Sequence, residues 1–141
     1  MASETRMLNL AKVQARLARL PDTMKAAVAA QLAIEADELV AAMQRAAPVD
    51  ETSDNPGNFR DSIHHYPNPD RDLSVRILAD ARDAKGKFIG GNIEHGHRAA
   101  DGSHVAAKPS FFPTYRARKK AMKRRISTAG RKAVQQLYPK V

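Results

Sequence analysis

The sequence predicts an α+β domain with two N-terminal helices, a small antiparallel sheet of about three strands and a long basic C-terminal helix. Three observations predict it. Apolar residues recur at helical spacing over residues 5–20, 23–47 and 113–137. Strict alternation, the mark of a half-buried strand, is confined to the middle of the chain, most clearly over 73–79. Proline, glycine and Asx clusters punctuate the chain between these stretches. The order α-α-β-β-β-α separates helices from strands along the chain, as α+β domains do.

The first helix is predicted from Leu10, Val13, Leu17 and Leu20, which form one apolar face. Pro21-Asp22-Thr23 interrupts it, and Asp22 or Thr23 can offer an oxygen to the amides of the next helix. That second helix runs from about Thr23 to Ala47, with Val28, Leu32, Ala36, Leu39, Met43 and Ala46 as its stripe. Glu35, Asp37 and Glu38 fall mostly off the stripe, and Pro48 ends the helix by disfavouring helical geometry at Ala47.

Residues 48–58 read as a polar loop. Phe59–Tyr66 reads as the start of a strand, which sends Arg60 and Asp61 to opposite sides. Pro67-Asn68-Pro69-Asp70 is a turn, and Leu73–Ala79 is the clearest strand. Asp83–Gly86 reads as a hairpin turn leading to a further strand over Lys87–Glu94, where Gly90-Gly91 marks a bulge or a close backbone approach. Residues 97–108 form a second loop. The last helix starts near Pro113, carries Tyr115, Met122, Ile126, Ala129, Ala133 and Leu137 as its stripe, and ends at Pro139. Gly130 weakens it modestly.

The 141 residues suit a single domain, 1–141, in which residues 1–22 form an N-terminal helical arm. No stretch approaches the length of a membrane-spanning helix. MASETRM leads into a polar periodic helix, which argues against a secretory signal. With no cysteine, a disulfide framework, a Cys-zinc site and a thiol nucleophile are excluded. Leu, Ile, Val and Phe together number 27, against 25 alanines, a thin inventory for a self-sufficient core.

The net charge of +9 is unevenly placed. From Gly102 to Val141 there are 11 basic residues and no acid, so nearly all the excess belongs to one element. Arg116, Arg118, Lys119, Lys120, Lys123, Arg124 and Arg125 are its densest part, a basic face for an acidic partner or for nucleic acid. No helix-turn-helix pattern is evident and the basic run lacks aromatics for stacking, which argues against sequence-specific reading.

Chemistry beyond binding finds little footing. On a strand His95 and His97 would share a face, but Gly96 between them suggests a turn, no third ligand follows at a recognisable spacing, and exposed loop histidines are the plainer reading. There is no G-x-S-x-G, no phosphate loop and no G-x-G-x-x-G. The carboxylates Asp50 and Glu51 sit on a loop, a poor place for tuned acid–base work. The chain reads as a non-enzyme without a cofactor or metal.

Three segments carry a resemblance. Ala46-Ala47-Pro48-Val49-Asp50 with Gly57-Asn58-Phe59-Arg60-Asp61-Ser62-Ile63 resembles an A-P-V-D-T-G-x-L-R-x-S-I signature, with Glu51–Pro56 as an insertion. Ile93-Glu94-His95-Gly96 resembles a V-E-x-G segment, and Ala107–Pro113 an A-x-P-F-x-x-P segment. In this order they are similar to the tail-completion or neck proteins of long-tailed phages, prophages and gene transfer agents. The resemblance covers most of residues 40–120. It implies a structural protein of the virion, present in the host cytoplasm during assembly. Such a protein forms a ring, six-fold on the tail side or twelve-fold near the portal, that joins the head-side connector or stopper to the tail terminator and tail tube around the DNA channel. Pro48, Asp50, Arg60, Asp61, Glu94, Phe111 and Phe112 are then the expected subunit or partner contacts, with Glu94 pairing with Arg60 or a neighbouring subunit. The alternative is a small basic protein that binds nucleic acid without sequence preference through residues 116–125.

Overall fold

The computed structural model describes residues 22–137; the expected helix over 5–20 and the stop at Pro139 lie outside the described residues. Helix α1, Asp22–Ala46, is followed by the short α2, Asn58–Asp61, and by strands β1, Ile63–Pro67, and β2, Val75–Ala79. Helix α3, Gly90–His95, leads to the short strands β3, His97–Arg98, and β4, His104–Val105, and to the long helix α4, Phe111–Leu137. The domain is therefore mixed helix and sheet, with a small antiparallel sheet and a long C-terminal helix.

Helices α1 and α4 pack antiparallel. Val28 lies against Gly130, Glu35 meets Arg125, and Leu39 and Met43 share the core with Met122. A Cβ at Gly130 would sit 3.3 Å from Cγ2 of Val28, so the glycine that weakens the helix also sets its approach to α1. The alanine-rich flank serves the same end: Ala36, Ala42 and Ala133 are buried. The α1 stripe is found at Val28, Ala36, Leu39 and Met43, while Ala46 is exposed and Ala47 takes its place.

β1 and β2 pair antiparallel, Ile63 opposite Ala79 and Pro67 opposite Val75. The Gln44 amide donates to the Ile63 carbonyl at 3.1 Å and ties this sheet to α1. β2 starts at Val75 rather than Leu73 because Leu73 has φ +53°, which ends any extended run there. The core gathers Leu39, Met43, Ala47, Phe59, Ile63, Ala81 and Met122, flanked by Ile89, Ile93 and Phe111. Burying a side chain such as Ile63 or Met43, each 1% exposed, contributes about 1.5–3 kcal/mol.

One expected strand loses its first residues to a helical turn and begins at Ile63, and a second is largely replaced by one. Phe59–Asp61 belongs to α2, so Arg60 and Asp61 are not on opposite sides of a strand; they form an ion pair at 2.8 Å. The 87–94 strand reduces to a single bridge between Arg82 and Phe88, after which α3 begins. The physical reason is shared. Phe59 and Ile63, like Ile89 and Ile93, are four apart, a spacing that satisfies a two-residue and a 3.6-residue period alike. The close approach expected at Gly90-Gly91 is real at Gly90, where a Cβ would meet the Ala79 carbonyl at 3.3 Å. The expected 97–108 loop contains the β3–β4 hairpin, His97 opposite Val105.

Candidate functional site

Glu94 stands at the centre of the segments singled out in the sequence. It is the fifth residue of α3 and is 6% exposed. Its carboxylate accepts the backbone amides of Ser110, Phe111 and Phe112 at 2.9, 3.1 and 3.0 Å. These are donors that the first turn of α4 cannot satisfy internally, and a negative charge at that end also opposes the helix dipole. The side chain that caps α4 thus comes from a different element, 16 to 18 residues away in sequence. Glu94 does not pair with Arg60, whose guanidinium is held by Asp61.

The intervening chain is built to bring these groups together. Gly96 has φ +75°, and a Cβ there would lie 2.8 Å from the Val105 carbonyl oxygen and 2.9 Å from the Ala107 nitrogen. Only glycine serves at this crossing. The Lys108 amide donates to the Ile93 carbonyl at 2.8 Å, which returns the chain alongside α3. Pro113 falls in the first turn of α4, where its missing N–H is not needed.

Two surfaces flank this knot. On one side Phe112 is 47% exposed, its ring 5.3 Å from Phe111 edge to face and 6.3 Å from the stacked His95 ring. Phe88, 56% exposed, lies under the Arg82 guanidinium at 3.7 Å. Between Phe88, Phe112, Gly90, Gly91 and Ile77 is an apolar recess of about 340 Å³. On the other side a recess of about 620 Å³ separates the 48–58 loop from the 97–108 hairpin, with Pro48, Asp50, Asn58, His97 and Lys108 on its walls. Asp50 organises its loop: its Oδ1 accepts the Thr52 amide at 3.0 Å and the Thr52 hydroxyl at 2.6 Å. The Thr52 hydroxyl, then its amide, holds the Asp50 carboxyl below its usual range. Asp61 is lowered in the same way by the Arg60 hydrogen bond.

The structure therefore gathers Glu94, Phe111 and Phe112, and lines a second recess with Pro48 and Asp50. Arg60, half-buried, and Asp61, exposed, lie apart and are paired to each other.

The basic run divides by direction. Arg125 faces its own chain: its Nε and Nη2 donate to the two Glu35 oxygens at 2.6 and 2.8 Å. Glu35 is 2% exposed and also accepts from Gln31 at 2.8 Å. The Arg125 hydrogen bonds hold its carboxyl below the usual glutamate range against the opposing pull of burial, with Arg118 adding a smaller lowering. Arg118 and Lys119 are half-buried, whereas Arg116, Lys120, Lys123 and Arg124 are exposed. The expected basic face of seven thus loses Arg125 to an internal pair.

Sequence reasoning missed Glu35, although its spacing could have found it. It lies seven from Val28, three from Leu32 and four from Leu39, on the buried stripe itself. Among the described residues no cluster of three or more His, Asp or Glu side chains could hold a metal ion. No described helix is long and apolar enough to cross a membrane. No protein-family model, curated protein or solved structure matches the chain.

Proposed function

We propose that this chain is a non-enzymatic assembly protein of a phage-type particle, a neck or tail-completion subunit. It closes into a ring, six-fold on the tail side, between the head-side connector or stopper and the tail terminator and tail tube. It acts in the virion neck and passes through the host cytoplasm during assembly. One observation carries the reading: the three segments of the resemblance meet in one place. Ala47, Phe59 and Ile63 of the first share the core with Ile93 of the second and Phe111 of the third. Glu94 of the second grips the amides of the third. Segments spread over some 65 residues that share one core are what the resemblance requires of a single architecture.

Ring closure of identical subunits needs two different, complementary patches on each. The Phe88–Phe112 recess supplies one, since contiguous exposed apolar surface marks interaction sites. The 48–58 loop with its neighbouring recess supplies the other. The test combines native mass spectrometry of the full chain with its detection in purified particles. The ring is expected in the parent and lost in Phe112→Ser, which stays folded by circular dichroism although it gives up the contact with the Phe111 ring, about 1 kcal/mol. Absence of the protein from particles that contain portal and tail tube overturns the reading.

A further inference from the structure

We propose that the outer side of α4 is a binding stripe for the phosphate backbone of duplex DNA. Arg116, Lys120, Lys123, Arg124 and Arg131 are all exposed. Their spacing keeps them within an arc of about 100° on a helix of 3.6 residues per turn, over about 22 Å of axis. Among the described residues none of the five forms an ion pair. Helix α4 itself contains no Asp or Glu. The carboxylates that reach it are Glu94, at the amides of its first turn, and Glu35 and Glu38, on its inner flank against Arg125. Among the described residues no carboxylate neutralises the outer charge.

The composition of the arc favours a polyanion over an acidic protein. Its remaining positions are Ser127 and, at the two ends, Pro113 and Val134. Protein interfaces are anchored by desolvated aromatic or aliphatic cores and are depleted in lysine. This arc carries rim chemistry throughout and has no such anchor. Phosphates need only cations at intervals, and such contacts position a protein without specifying sequence. The arc also lacks the aromatic platform with which proteins hold single strands, which leaves the duplex as the fitting partner.

Fluorescence anisotropy with two duplexes of unrelated sequence tests this on the full chain. Equal affinities are expected. Five neutralised phosphates give a slope of log K on log salt of about −4.5, a loss of about 500-fold between roughly 50 and 200 mM. The Lys120→Gln/Arg124→Gln variant, unchanged in its circular dichroism, should reduce the slope to about −2.7. Lys132→Gln, on the other flank of α4, should leave it unchanged. No duplex binding at about 50 mM salt, or a slope that the double variant does not alter, overturns the proposal. So does retention of poly-glutamate without retention of duplex, which assigns the stripe to an acidic protein. Duplex binding reads the stripe whether or not the ring forms, so its failure leaves the neck reading intact, and failure of ring assembly leaves the stripe intact.

Discussion

Truncating Glu94 to alanine strands three backbone amides at the start of the longest helix. The magnitude follows from the geometry. The Ser110 amide belongs to a residue 5% exposed, so water cannot readily replace the lost oxygen, and an unsatisfied buried donor costs about 2 kcal/mol. The Phe111 and Phe112 amides are partly buried and cost about 1 kcal/mol each. The sum of about 4 kcal/mol corresponds to a fall in melting temperature of about 14 °C for a chain of this size. Glu94→Gln keeps one acceptor and the side-chain shape but loses the charge, and should cost about half as much. Thermal unfolding followed by circular dichroism measures both, and amide hydrogen exchange at 110–112 reports the cap directly. An alanine variant that melts within about 2 °C of the parent, with those amides still protected, refutes the cap. A role at a subunit interface alone would leave the melting of the unassembled chain untouched and abolish only assembly.

Other expectations concern the helix pair and the chain crossing. Arg125→Ala should destabilise more than Glu35→Leu, by urea midpoint, because the first leaves a carboxylate buried without its cation and the second leaves an exposed guanidinium to water. Because the Glu35 carboxyl is lowered in the folded state, its stabilising contribution is complete above the ordinary glutamate pKa of about 4.3. The contribution disappears as pH falls through the lowered value, so the stability difference between the parent and Glu35→Gln should shrink below about pH 4. Gly96→Ala places a Cβ against the Val105 carbonyl at positive φ and should cost about 2–3 kcal/mol in thermal unfolding.

The two long helices were legible in the sequence because each repeats one apolar period over many turns. β2 was legible because Val75, Ile77 and Ala79 alternate with the exposed Arg76 and with Leu78. The short elements were not, since α2 and α3 each offer a single four-residue apolar interval that fits strand and helix equally. At Glu94 the sequence marked the residue but not its role. A carboxylate that caps a helix 16 residues downstream leaves no local pattern, unlike a capping residue next to its own helix. Glu35 was hidden by its charge: a stripe drawn from apolar residues alone passes over a carboxylate whose partner stands 90 residues away.

The segment between Glu94 and Ser110 is fastened at its root on both sides. Gly96 is pressed against Val105–Ala107, Lys108 is bonded to Ile93, and β3 is laddered to β4. Beyond that root, the tip holds only its own turn, with Ser103 donating to Asp101 and Ala99 to the Ser103 carbonyl. Covalent continuity at 100–102 is thus not what keeps α4 in register with the rest of the domain. A nick, an inserted tag or a new pair of termini at the Asp101-Gly102 bond leaves the carboxylate clamp whole, and the two fragments should stay together as one folded body.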